Sequence, residues 1–102
     1  MIKYILYMGL NDKDSKTQKI STVEAYKIAT NILLKYTDGA TIYETQGIYK
    51  HNNGQIVIEP TLKIELLFIE LDTVKRIARR LKTVFNQEEI ILQTEEYNSQ
   101  LI

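Results

Sequence analysis

The sequence has no cysteine, which removes disulfides, thiolate metal sites and cysteine nucleophiles together and fits a cytoplasmic chain. It has no excess of charge either: thirteen basic residues balance thirteen acidic ones, so bulk electrostatics favour neither nucleic acid nor an anionic membrane. Any charge argument has to be local. No apolar run approaches the ~18 uninterrupted residues of a membrane-spanning helix, and Met1 to Leu10 is too short and too alternating for a signal peptide. The only histidine, His51, falls in a predicted turn, where a surface role is expected. No serine sits in a nucleophile elbow and no glycine-rich loop precedes a helix. The carboxylates Glu44, Glu59 and Glu65 have no evident partner to tune them. The sequence therefore points to no catalytic residue, no metal and no cofactor.

What is present is the pattern of a folded domain. At 102 residues, 44% of them hydrophobic, the expectation is one domain over residues 1–102 with a single core. Pro60 to Glu70 is the longest strand-like run. Leu62, Ile64, Leu66 and Phe68 alternate with Lys63, Glu65, Leu67 and Ile69, and the second half is apolar on both faces, as a central strand requires. Ile2 to Leu10 alternates likewise and ends at Gly9. The polar stretch Asn11 to Lys19 reads as a mobile solvated loop. Its Asn11, Asp12 and Asp14 raise a calcium loop, but the glycine at the sixth position and the closing glutamate are missing.

Ser21-Thr22-Val23-Glu24 is a capping box, and Ala25, Ile28, Ala29, Ile32, Leu33 and Tyr36 continue at helical spacing until Asp38-Gly39. Ala40 to Lys50 is a second strand, with Gly47 marking a bulge or a close backbone approach. Asn53-Gly54 signals a hairpin, returning through Gln55 to Glu59, and Pro60 is expected at a break or bulge. Asp72 caps a second helix over Thr73 to Phe85, with Val74, Ile77, Ala78, Leu81 and Phe85 inward. Glu89 to Glu95 supplies the last strand. The order βαββαβ gives the ferredoxin-like split fold: an antiparallel sheet in the order 4-1-3-2 with both helices on one face.

With the elements placed, Leu6-Tyr7-Met8-Gly9, Thr37-Asp38-Gly39-Ala40-Thr41, Gln46-Gly47-Ile48-Tyr49, Gly54-Gln55-Ile56 and Glu59-Pro60-Thr61 resemble an uncharacterised family of ferredoxin-like proteins from bacteria and phages or prophages. The chain is also similar in size and texture to anti-defence proteins of phages and mobile elements, the anti-CRISPR proteins among them. That resemblance implies a non-enzymatic factor that blocks a bacterial defence complex by direct binding in the host cytoplasm.

Two surfaces are candidates for such binding. Helices cover one side of the sheet only, so Ile5, Tyr7, Tyr43, Tyr49, Leu67 and Ile69 are expected on or beside an open face suited to a two-fold homodimer. Lys75, Arg76, Arg79, Arg80 and Lys82 form a basic helix face for a protein or nucleic-acid partner; the plainer reading pairs them with Glu70, Asp72, Glu88 and Glu89. Two alternatives stand beside the binding protein. One is a small-ligand sensor or a small dimeric enzyme with a pocket between sheet and helices. The other binds single-stranded nucleic acid on the sheet through Tyr4 or Tyr7 and Phe68, although the third strand lacks the glycine-aromatic signature of RNA-recognition domains.

Overall fold

The alternating stretches form four strands and the amphipathic ones two helices: β1 (Ile2–Gly9), α1 (Thr22–Leu33), β2 (Thr41–Lys50), β3 (Ile56–Leu66), α2 (Leu71–Val84) and β4 (Ile91–Glu96). The structure, a computed structural model, describes residues 1–102. All neighbouring strands are antiparallel and lie in the order β2-β3-β1-β4, the 4-1-3-2 arrangement of the ferredoxin-like fold. Leu6 and Met8 of β1 and Leu62, Ile64 and Leu66 of β3 are fully buried. They form one cluster with Ala25 and Ala29 of α1 and Val74, Ile77 and Leu81 of α2. Both helices therefore cover the same face of the sheet. Each large side chain so buried contributes about 1.5–3 kcal/mol.

The ends of the elements depart from the pattern in instructive ways. Ser21 Oγ accepts from the Glu24 amide at 3.2 Å, as the capping box requires, but Glu24 then reaches forward to Lys27 at 3.5 Å instead of back to Ser21. β3 does not run to Glu70. It ends at Leu66 because Phe68 takes a left-handed backbone (φ 55°), which turns the chain out of the sheet, and α2 starts at Leu71 with Glu70, not Asp72, at its N-cap. Pro60 makes no bulge; it pairs with Gln46 in an unbroken ladder. Its carbonyl accepts from the Leu10 amide at 2.9 Å, so its missing N–H faces the β1 side, where regular pairing has already ended, and the bond lost there costs the β2 ladder nothing. Gly47 likewise lies in register, at a close approach where a Cβ would stand 3.3 Å from Thr61 Oγ1. In the hairpin turn only Gly54 has positive φ (89°), and Asn53 Oδ1 accepts from the Gln55 amide at 2.9 Å.

The Asn11–Lys19 stretch is pinned, contrary to the mobile loop expected. Asp12 is buried and accepts from the amides of Asp14 (3.0 Å) and Ser15 (3.1 Å) and from Asn86 Nδ2 (2.9 Å), while Gln87 Nε2 donates to the Asn11 carbonyl at 2.8 Å. Those bonds hold the Asp12 carboxyl down at about 2, with Asn86 the largest contributor.

Beyond Gly9 and Thr61 the third strand is gone, yet β2 and β3 continue together to the Lys50–Ile56 pair. The result is a two-stranded arm that stretches the molecule to 48 Å against 25 and 23 Å in its other dimensions. Ile48, Ile56 and Ile58 on this arm are exposed.

Candidate functional site

The strand registers set the composition of the uncovered face. Lys3, Ile5 and Tyr7 of β1 stand beside Lys63 and Glu65 of β3, Tyr43 of β2, and Ile91, Gln93 and Glu95 of β4. These side chains interlock. Lys3 Nζ lies 3.5 Å from Glu65 and 3.2 Å from Glu95, Tyr43 donates to Glu65 at 3.0 Å, and Lys63 sits 5.2 and 6.0 Å from the ring centres of Tyr43 and Tyr7. The hydrogen bond to Glu95 raises the Lys3 ammonium above its usual range, and the bond to Glu65 does the same to the Tyr43 phenol. Glu65, expected to lack partners, is thus the hub of the face.

The face is mixed rather than apolar: Ile91 stands exposed on it beside the interlocked charges, and only some of the residues expected there are exposed on it. Ile5 does point to the uncovered side but is only 2% exposed beneath its polar neighbours. Leu67 and Ile69 lie beyond the end of β3, and Ile69 packs onto the core. Tyr49 belongs to the arm, edge-on to His51 at 5.4 Å. Of the single-strand platform only Tyr7 stands on the uncovered face, since Tyr4 belongs to the buried core cluster and Phe68 has left the sheet.

A cleft of about 540 Å³ opens at the foot of the sheet, where α1 passes the chain to β2 and β3 passes it to α2. Its lining joins the whole Thr37-Asp38-Gly39-Ala40-Thr41 segment to Glu65, Leu67, Phe68 and Leu101. Phe68 is 56% exposed at this cleft and rests edge-on against Tyr97, ring centres 6.2 Å apart. A bulky residue in left-handed backbone is uncommon and costs of the order of 1–3 kcal/mol, so its place at a cleft is a pointer to function. The cleft carries two carboxylates and no lysine, arginine or histidine. Sequence reading missed this site because Asp38-Gly39 served as a helix stop, Thr37–Thr41 as a family motif of the fold, and Phe68 counted as a strand residue.

The basic residues Lys75, Arg76, Arg79, Arg80 and Lys82 are all exposed on α2. Of the ion pairs expected to neutralise them only Asp72–Arg76 forms, at 3.3 Å.

The order of elements, the 4-1-3-2 sheet and the one-sided helix layer define a ferredoxin-like α+β protein. The chain belongs to the family described as "Protein of unknown function (DUF3574)", whose sequence profile spans residues 3–100. Among solved structures it is similar to a phage SAM lyase in complex with S-methyl-5′-thioadenosine, at 22% identity over 93% of this chain and 80% of that one, with a TM-score of 0.68. It is also similar to the divalent ion tolerance protein CutA1 from Ehrlichia chaffeensis (16% identity, 97% and 84% covered, TM-score 0.60). A third is the GlnK–ATP complex of B. subtilis (14% identity, 92% and 80% covered, TM-score 0.55). At these identities the likeness is one of fold alone. No curated protein sequence matches the chain. No helix is long and apolar enough to cross a membrane.

Proposed function

We propose that this protein is a self-associating, non-catalytic small-ligand-binding protein whose ligand is a phosphate-free, adenosine-type compound held in the cleft at the foot of the sheet. The observation that carries the reading is the convergence of Asp38, Glu65, Thr37 and Thr41 with an exposed, left-handed Phe68 around about 540 Å³, a size suited to a small molecule. Phe68 offers a ring for a heterocycle to stack on, and the carboxylate and hydroxyl groups offer acceptors for sugar hydroxyls. Two of the structurally similar proteins were solved with adenosine-containing compounds, S-methyl-5′-thioadenosine and ATP. Glu65 is paired with Lys3 and Lys63, but Asp38 has no such partner and the lining holds no cation, so a polyphosphate would find no positive charge to pair with, which favours the first kind over the second. Glu65 is engaged by Tyr43 and Lys3, which supports a binding role for it over proton transfer.

Calorimetry and thermal melting with S-methyl-5′-thioadenosine, adenosine and ATP test this. The first two should bind and raise the melting temperature by mass action, about 2.7 kcal/mol at a hundredfold excess over Kd, whereas ATP should not. Asp38→Asn and Phe68→Asn should each weaken binding at least tenfold without unfolding the chain. Binding that ignores both substitutions would move the site elsewhere, and conversion of the compound on incubation would make the protein an enzyme.

A further inference from the structure

α2 is amphipathic in an unusual proportion. Its inner stripe, Val74, Ile77 and Leu81, is completely buried, while its outer surface carries five basic side chains against the single carboxylate of Asp72. In a chain whose charges balance overall, this concentrates positive charge on one helix. Only Arg76 has a carboxylate oxygen within 4 Å, and that pair is widely exposed, so it neutralises little. Glu88 and Glu89 follow in the next loop and pair with none of the five.

We propose that the outer face of α2 docks on the phosphate backbone of a nucleic acid duplex without regard to base sequence. Lys75, Arg79 and Lys82 share a stripe about 10 Å long, flanked by Arg76 and Arg80. A duplex presents one phosphate per 3.4 Å of axis on each strand, so the stripe spans about three of them. The three arginines add the planar fork that grips phosphate through two hydrogen bonds. Other anionic partners fit less well. The apolar stripe that would enter a membrane surface is spent inside the core. Between the cations the outer face offers only Thr83; its one exposed large aliphatic side chain, Leu71, stands at the start of the helix, away from the centre where a protein interface needs its apolar anchor, and no aromatic is present for a single strand to stack on.

Fluorescence anisotropy of labelled duplex DNA across a salt series tests the proposal. Binding should be independent of sequence, with log K falling against log salt at a slope of about −2.7, roughly a 40-fold loss between 50 and 200 mM. Arg76→Glu with Arg79→Glu and Arg80→Glu should abolish binding. The milder Arg79→Gln with Arg80→Gln should reduce it several-fold, with the melting temperature held, which guards against a misfolded triple variant. Absence of binding at 50 mM salt overturns the proposal. So does binding that survives both variants, and so does equal or tighter binding to single strands, to polyglutamate or to phosphatidylserine vesicles.

Discussion

At the scale of single residues, the sharpest consequence belongs to Asp12. Its carboxyl sits at about 2 against an ordinary 3.8 because Asn86 and two backbone amides donate to its charged form. A depressed carboxyl stabilises the fold above its unfolded value, and that contribution drains away as the pH falls from about 4 through about 2. Asp12→Asn should therefore lower the melting temperature at pH 7, and the gap to wild type should narrow between pH 4 and 2 and close below. A gap that is constant with pH would show that the charge of Asp12 does not hold the loop. The sequence offered Asn11, Asp12 and Asp14 only as a poor calcium pattern. The partner that gives Asp12 its meaning, Asn86, is 74 positions away, and no local rule reaches so far. Glu59 is similar: it accepts from the Asn11 amide at 2.8 Å and fills the space a side chain at Gly9 would need, a contact made only once β1 and β3 are paired.

At the scale of elements, the two helices show what periodicity can and cannot locate. α1 was legible to within a residue at its start, since Ser21 is a capping residue followed by helical spacing and its hydroxyl takes the cap bond. α2 was misplaced by two residues because Leu66 to Ile69 is apolar on every side, and such a run reads as buried strand until Phe68 turns left-handed. The true cap, Glu70, makes no side-chain hydrogen bond to the first turn. Glu70→Ser should consequently stabilise the protein by about 0.5–1 kcal/mol in urea denaturation, the usual value of a missing cap. Asp72 changed to serine should show no such gain, because it already lies inside the helix. The opposite ranking would return the cap to Asp72 and the helix start to Thr73. The same two-residue error hid the cleft, whose wall at Leu67 and Phe68 exists only because the strand stops where it does.

For the whole molecule, the self-association proposed above needs a surface. An uncovered sheet suggested itself, and the inference from one-sided helices to a bare face was sound topologically. It failed chemically, because Lys3, Lys63, Glu65, Glu95 and the tyrosines satisfy one another across that face and bury Ile5 beneath them. Ile91 is the exposed aliphatic side chain left on that face; the denser unmet apolar surface lies on the β2–β3 arm, where Ile48, Ile56 and Ile58 are 72%, 64% and 57% exposed. Each of these isoleucines was read correctly as a strand residue; their exposure follows from β1 ending opposite Thr61, a fact of pairing that spacing along the chain does not encode. A two-stranded ribbon is marginal in water by itself, so an arm of this length with isoleucines on it gains by packing on another molecule. Ile48→Lys with Ile58→Lys should then reduce the mass found by light scattering to that of one chain while leaving the melting of the core cluster nearly intact, since neither residue belongs to it. Tyr43→Ala on the polar face should leave the assembly unchanged. A wild-type protein that stays single at high micromolar concentration would mean the arm is stable alone. An assembly lost with Tyr43 and kept with the lysines would return the interface to the sheet, against the charge lattice that now argues it away.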